Sequence, residues 1–344
     1  MILRVPRGDD GTAPDRAVAI LDYVRKHTSL PIPTVVASDF TSNNFLEKPY
    51  VIQKRVPGTD LNRIWGELSH SQRCTVAHEL GGVMRTLLSL ESPVTGILVP
   101  TPETADNNES STIIPFEFKH WGSEGLVVQS AASTDTPQKS QTTLEFFQTH
   151  FEYWRAIAVA ELQDYSTGTD VKLFDGMLKA TREMDELGLF RANLHCLCHV
   201  DIHSGNVMAE VQPDDTLKVT AILDWDEAVF APKFVACEPL GWLWGYIVDD
   251  HVDEDEHLTW PYELAGANDV PSTPEQQELK RIFDEQAGPE YSRLAYDEIS
   301  RLCRGLFRIA VEGLNASHYY KAAERILREW EVLRQSLTQE TPVI

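Results

Sequence analysis

Two short apolar segments near the middle of the chain each end at polar side chains that can bind a proton or a metal. The first leads into residues 199–206, where Asp201 and Asn206 stand five positions apart. The second is the apolar run 221–223, which is followed by Asp224. Apolar runs of this length interrupted by Gly and polar residues predict strand, loop and strand. This order places an acid, an amide and a second acid in loops at strand ends.

These three side chains satisfy the requirements of phosphoryl transfer. The reaction needs a carboxylate beside the acceptor hydroxyl and oxygen ligands for Mg²⁺ ions that bridge the nucleotide phosphates. An Asp followed five positions later by Asn, then an apolar strand and a further Asp, is the order of a kinase catalytic loop and its metal-binding Asp. We therefore expect Asp201 to orient the hydroxyl and accept its proton, and Asn206 and Asp224 to bind Mg²⁺.

The segments HVDIHSGNV and ILDWDEA resemble the H-G-D-x-H-x-x-N and I-D-W motifs of the aminoglycoside phosphotransferase and choline kinase superfamily. LDWDEAVFAP, PYVIQKRVPG and LPIP further resemble its fungal branch. The resemblance implies an α+β, protein-kinase-like fold of two lobes with ATP between them. It also implies Mg²⁺ as cofactor and a small-molecule hydroxyl as phosphate acceptor.

Further site residues are implied by the same resemblance. PYVIQKRVPG resembles the strand and hinge between the lobes, so the backbone of Lys54 and Val56 is expected to contact adenine. Arg4 takes the place of a phosphate-contacting Lys, and its always-charged guanidinium can bind phosphate bidentately. His199 is also predicted to belong to the catalytic site. We expect it to stabilise the loop by a hydrogen bond to the backbone near Asp224.

The predicted domains follow from these positions. If Arg4 marks the third strand of a kinase, two strands and a Gly-rich loop are missing before it, so the N-terminal β lobe is expected to be truncated. A catalytically silent pseudokinase that acts as a binding protein is therefore the alternative function. The expected parts are a reduced N-lobe at 1–56 with a hinge near 53–58, a mainly helical C-lobe at 57–344, a catalytic loop at 199–206, a metal-binding segment at 221–228 and a partly mobile surface insertion at about 101–143.

Hydrophobic periodicity predicts the main elements. The predicted helices are 15–26, 69–90, 144–162 and 172–187, with helical character again from about residue 273. The predicted strands in the N-terminal part are 34–37 and 49–53, joined by an Asn-rich turn.

Charge and cysteine usage limit the partners and the compartment. The 53 acidic against 30 basic residues give a net charge of −23, which disfavours duplex nucleic acid and anionic membranes as partners. A cationic or neutral small molecule fits this charge. Five scattered cysteines and the lack of a signal-peptide pattern in the first residues predict a cytoplasmic protein. The sequence does not indicate an oligomeric state.

Other interpretations of single clusters stay open. His195, Cys196 and Cys198 with the adjoining histidines could bind zinc in a metal-dependent hydrolase, although Cys-x-Cys is tighter than the usual zinc spacing. Asp226 and Glu227 could contact substrate or a second metal, but solvated side chains are the simpler interpretation. The set Trp242, Trp244 and Tyr246 is typical of core packing, with a cation-binding box as the alternative. The acidic run 249–256 is a solvated loop or a surface for a cationic acceptor.

Overall fold

The computed structural model describes residues 1–5, 14–101, 111–114, 141–161, 168–190, 195–244 and 271–340. The chain forms two compact units. The first consists of Met1–Pro115, His195–Ile247 and Val270–Arg293, and the second of Phe116–Leu194, Val248–Asp269 and Leu294–Ile344. The predicted lobe boundary near residue 56 is a different division and stays a prediction.

The first unit begins with a three-stranded antiparallel sheet in the order β1-β3-β2. Its strands are β1 at Ile2–Arg4, β2 at Val35–Asp39 and β3 at Tyr50–Gln53, and Arg4 is paired with Val51. Helix α1 spans Pro14–His27. It buries Ala17, Ala19, Ile20, Leu21 and Val24. The predicted helix and the two predicted strands of this region are confirmed, with small shifts at their ends.

A second sheet carries the candidate site and is joined to the segment after β3. It has the order β10-β9-β4. β4 is Thr59–Asp60, β9 is Val207–Val211 and β10 is Leu217–Ile222. Gly58 has a φ of +92°, and a Cβ there would lie 2.2 Å from the Ala209 carbonyl oxygen. Only glycine allows this close approach of the predicted hinge segment to β9.

Two smaller sheets complete the strands of this unit. One has the order β11-β8-β5, with β5 at Glu91–Ser92, β8 at His195–Cys198 and β11 at Val229–Pro232. The other pairs β6 at Ile97–Pro100 with β7 at Ser111–Ile114. β7 lies inside the predicted insertion at about 101–143, which the sequence predicts to be partly mobile. The segment is rich in Ser and Thr, a composition that does not predict a strand. β7 forms there because it pairs with β6. Residues 102–110 and 115–140 lie outside the described part of the chain.

Helices α3 and α7 pack against each other in the first unit. α3 spans His70–Ser89 and α7 spans Pro274–Ala287. Each begins with a capping box, at Ser69 and Thr273 respectively, which satisfies backbone amides of the first turn. The shorter helices of this part of the chain are α2 at Leu61–Ile64, α6 at Lys233–Ala236 and α8 at Pro289–Ala295.

The described residues of the second unit are mainly helical. Its helices are α4 at Thr143–Glu161, α5 at Thr169–Glu186, α9 at Glu298–Glu312 and α10 at Ser317–Glu340. Aromatic side chains form much of its core: Phe146, Phe147, Phe151, Phe174 and Phe307 are all buried. The Trp154 indole donates a hydrogen bond to the Ala310 carbonyl at 2.9 Å and so joins α4 to α9.

These elements make an α+β protein with small antiparallel sheets and a mainly helical C-terminal part, as the sequence predicts. Among the described residues, no helix is both long enough and apolar enough to span a bilayer.

Candidate active site

The loop after β8 brings Asp201 and Asn206 into direct contact. The Asn206 side-chain amide donates to the Asp201 carboxylate at 2.9 Å and to the Asp201 backbone carbonyl at 3.0 Å. A 3-10 turn at Ser204–Asn206 makes this geometry possible, because it folds the chain back before β9 starts. With its NH₂ group used for both bonds, Asn206 retains its amide oxygen as an acceptor.

His199 joins this loop to the segment that carries Asp224. Its ring is buried, and Nε2 lies 2.8 Å from the Leu223 carbonyl oxygen. Nδ1 accepts the Asp201 backbone N–H at 3.4 Å, so the proton of the neutral ring is on Nε2 and is donated to Leu223. Burial lowers the pKa of His199 to about 4, and the ring is therefore neutral at pH 7. The geometry gives His199 contacts with backbone on both sides of the site.

The two segments are also joined through backbone and ring contacts. The Leu223 N–H donates to the Asn206 carbonyl at 2.8 Å. The ring of Trp225 is buried and lies edge-on to His199 at a centroid distance of 4.6 Å. Asp201, Asn206 and Asp224 therefore stand on two segments that the structure holds side by side. Their chemical roles stay predictions.

Two residues of the site have left-handed backbone. Val200 and Asp224 both have a φ of 59°. A positive φ is an outlier for a β-branched residue and costs about 1–2 kcal/mol relative to right-handed backbone. Strain of this kind persists where surrounding contacts impose it, and it is concentrated at functional sites. The position of Val200 is the Gly of the H-G-D motif, so its left-handed backbone gives a physical reason for glycine there that the sequence pattern does not indicate.

Arg4 on β1 pairs with the segment after β10. Its guanidinium binds the Asp226 carboxylate at two points, 3.2 and 2.7 Å, and lies 3.9 Å from the nearer carboxylate oxygen of Asp224. The side chain of Asp226 is only 18% exposed. The interpretation of Asp226 as a solvated side chain is therefore wrong, because a paired guanidinium shields it. The structure places the Arg4 charge beside the predicted metal ligand Asp224.

The predicted hinge residues lie next to β3. The Lys54 N–H donates to the Thr34 carbonyl at 2.8 Å, and the Lys54 side chain is exposed. Val56 is half-buried. Thr220 then donates its hydroxyl to the Pro57 carbonyl at 2.7 Å, which fixes the segment against β10. Contact of either residue with adenine stays a prediction.

Several neighbours of the catalytic loop are not predicted by the sequence. The Ser204 hydroxyl donates to the Asn62 side chain at 3.3 Å. The Trp242 indole donates to the Ile202 carbonyl at 3.2 Å and packs edge-on against Trp65 at 5.6 Å. These contacts depend on tertiary structure, and neither the spacing nor the local sequence of Asn62 and Trp65 indicates them. Trp244 is buried, as core packing predicts.

The residues of the alternative zinc cluster lie in β8 and in the loop after it. His195, Cys196 and Cys198 are fully buried in this strand, and the two sulfur atoms lie 4.0 Å apart. The contact with the Cys198 thiol, followed by burial, raises the pKa of Cys196 well above its ordinary value. The described residues that cluster with metal-ligand spacing are a different set. Tyr246 and the acidic run 249–256 lie outside the described residues.

Comparison with known proteins identifies the family. The sequence model of APH, the phosphotransferase enzyme family, matches residues 1–235. The chain therefore belongs to the phosphotransferase enzyme family, and the resemblance to aminoglycoside phosphotransferases and choline kinases is confirmed. The assignment to a fungal branch stays a prediction. None of the curated proteins compared with the chain matches it.

Several solved structures are similar to the chain at low identity. A thermostable mutant of the aminoglycoside phosphotransferase APH(4)-Ia in its apo form is 17% identical, with 97% of this chain and 86% of that chain covered and a TM-score of 0.42. The ADP-bound aminoglycoside phosphotransferase APH(2'')-Ib is 10% identical, with coverages of 95% and 85% and a TM-score of 0.49. The Plasmodium vivax ethanolamine kinase Pv091845 is 12% identical, with coverages of 97% and 77% and a TM-score of 0.44.

Proposed function

We propose that this protein transfers the terminal phosphoryl group of ATP to a hydroxyl group of a small molecule. The observation that carries the proposal is the hydrogen bond from the Asn206 amide to the Asp201 carboxylate, in a loop that His199 joins to the backbone before Asp224. A carboxylate and two metal-type oxygen donors on adjoining segments are the groups that phosphoryl transfer requires. The family membership supports the same class of reaction.

Asp201 is the proposed catalytic base. One of its carboxylate oxygens accepts the Asn206 amide, which orients the group and leaves the other oxygen to accept from a substrate hydroxyl. The side chain is 47% exposed, so an acceptor can reach it. Orientation before the reaction matters because positioning and charge stabilisation account for most of the barrier reduction in this chemistry.

The donor set fits Mg²⁺. Asn206 and Asp224 offer amide and carboxylate oxygens, which are the ligands that this hard cation prefers. The side chain of Asp224 is 50% exposed and its left-handed backbone is held by the contacts around Leu223. When bound, Mg²⁺ neutralises phosphate charge during the transfer.

Arg4 and the segment after β3 are the proposed nucleotide contacts. Arg4 stands beside Asp224 with 42% of its side chain exposed, so its guanidinium can contact a phosphate while it holds Asp226. Because the Lys54 N–H is donated to Thr34, adenine would be recognised by the Lys54 carbonyl and the Val56 N–H. The net charge of −23 favours a cationic or neutral acceptor. A cytoplasmic location and a lobe boundary near residue 56 belong to the same proposal.

The test compares nucleotide binding with phosphate transfer. We expect ATP with Mg²⁺ to raise the melting temperature, and wild-type protein to phosphorylate at least one acceptor from a panel of amino sugars, amino alcohols and polyols. Asp201→Asn should lower turnover by at least about 10²-fold, the lower range for loss of a general base, while it still binds nucleotide. Glu210→Gln, which removes an exposed carboxylate on β9, is the matched control and should keep wild-type turnover.

Two outcomes would contradict this proposal. If wild-type protein binds MgATP but phosphorylates no acceptor, the pseudokinase alternative is favoured. If Asp201→Asn keeps wild-type turnover, the role of Asp201 is wrong even though the protein is a kinase.

A further inference from the structure

Three side chains of kinds that bind metal ions lie close together where α3 packs against α7. None of them is a proposed catalytic residue. His70 Nε2 lies 2.9 Å from a carboxylate oxygen of Glu278 and 3.5 Å from the Cys74 sulfur. One ligand atom from each of the three residues lies within 4.8 Å of the other two. Imidazole, thiolate and carboxylate are the three side-chain types that bind zinc in proteins.

The sequence and the helix packing fix this arrangement. His70 and Cys74 are four residues apart at the start of α3, so they lie on the same face of the helix one turn apart. Close packing of the two helices keeps Glu278 opposite them: a Cβ at Gly81 would lie 2.5 Å from the Phe283 carbonyl oxygen. Two rigid elements therefore supply the three groups, which favours a site formed before any metal binds.

We propose that His70, Cys74 and Glu278 bind one zinc ion, with water as the fourth ligand. Tetrahedral zinc at about 2.0 Å from nitrogen and about 2.3 Å from sulfur places these two ligand atoms about 3.5 Å apart. In the structure, His70 Nε2 and Cys74 Sγ are 3.5 Å apart. The separation of His70 and Glu278 has to widen slightly, which the 48% exposed Glu278 side chain allows.

The surroundings of the cluster suit a cation. Cys74 is the one partly exposed residue among the five cysteines, while the other four are buried. Burial, followed by the charge of Glu278, raises the pKa of the Cys74 thiol. Arg281 is a cation near Cys74, and its guanidinium forms an ion pair with the Glu285 carboxylate at 2.5 Å. Zinc would neutralise the charge of Glu278 and release the thiol proton on binding.

A bound ion would connect the start of α3 to α7. Both helices belong to the same compact unit, and α3 also contacts the hairpin of β9 and β10, because Gln72 donates to the Asp215 carbonyl at 3.0 Å. The proposed role of the ion is thus to stabilise the helical support of that hairpin.

The test titrates chelator-treated, full-length protein with Zn²⁺ and with Co²⁺. We expect one zinc per chain, a thiolate-to-cobalt charge-transfer absorption band, and a higher melting temperature with zinc. Loss of even an outer-shell partner of a metal ligand lowers affinity about 10–100-fold. We therefore expect Cys74→Ser and His70→Ala to raise the zinc Kd by at least about 100-fold, and Glu278→Gln to raise it by a smaller factor. All three side chains are partly or largely exposed, so the variants should fold.

Two control variants separate ligand loss from general effects. His78→Ala removes an exposed histidine of the same helix, and Glu275→Gln removes a carboxylate near Cys74 that does not belong to the cluster. Both should keep one zinc and the cobalt band. The proposal is overturned if wild-type protein binds no zinc, or if Cys74→Ser binds zinc with wild-type affinity and retains the band. These measurements do not use phosphate transfer, so they are independent of the proposed kinase activity.

Discussion

Arg4 and Asp226 are 222 residues apart in the sequence and form a two-point ion pair at 2.7 and 3.2 Å. The pair joins the first strand of the chain to the segment after β10. It also brings the Arg4 charge within 3.9 Å of Asp224. An arginine that is held by one carboxylate beside a predicted metal ligand keeps further N–H donors for a phosphate.

The first prediction concerns Arg4→Ala. We expect the Kd for MgATP to rise roughly 10-fold or more, because a hydrogen bond to a charged group contributes about 1.5–3 kcal/mol. The free energy of unfolding should change by less than about 1 kcal/mol, because 42% of the Arg4 side chain is exposed and exposed ion pairs contribute little to stability. Calorimetric titration with MgATP and urea unfolding measure the two quantities.

Asp226→Asn and Arg25→Ala are the controls for this prediction. Asp226→Asn weakens the ion pair but keeps the guanidinium, so it should affect nucleotide binding less than Arg4→Ala does. Arg25 on α1 pairs with Asp22 instead, and its loss should leave the Kd unchanged. Equal losses for Arg4→Ala and Asp226→Asn would show that Arg4 only anchors Asp226 and does not contact phosphate.

The second prediction concerns the left-handed backbone at Val200. Val200→Gly should raise the free energy of unfolding by up to about 1.5 kcal/mol, because glycine removes about 1–2 kcal/mol of strain and costs roughly 0.5–1 kcal/mol of chain entropy. Val211→Gly is the matched control: Val211 is an exposed strand valine outside the positive-φ residues, so glycine there should destabilise. Chemical unfolding of both variants measures the difference. Equal destabilisation by the two changes would exclude strain at Val200.

The third prediction compares adjacent glycines in the middle of α3. Gly81→Ala should lower the free energy of unfolding by about 1–3 kcal/mol, because the added Cβ would overlap backbone of α7. Gly82→Ala should raise it by about 0.4–1 kcal/mol, since nothing lies within 4 Å of its added Cβ and alanine reduces the entropy of the unfolded chain. Thermal and urea unfolding of the two variants test the pair. A stabilising Gly81→Ala would contradict the close packing of α3 and α7 that the proposed zinc site requires.

The sequence by itself determined the elements that depend on local pattern. The apolar spacing of Ala17, Ile20, Leu21 and Val24 indicates one buried face, and α1 is found there because helical periodicity needs no distant partner. The spacing of Asp201 and Asn206 likewise predicts a shared loop, since five residues cannot separate the two side chains by far. The motifs around them also pointed to the phosphotransferase enzyme family.

Tertiary structure alone decided which distant residues meet. β7 forms in a Ser- and Thr-rich segment because β6 pairs with it, and Asp226 is shielded because β1 places Arg4 beside it. Cys74 and Glu278 come together only where α3 packs on α7. The physical reason is that periodicity reports which face of an element is apolar, whereas strand pairing and helix packing choose the partner of that face from the whole chain.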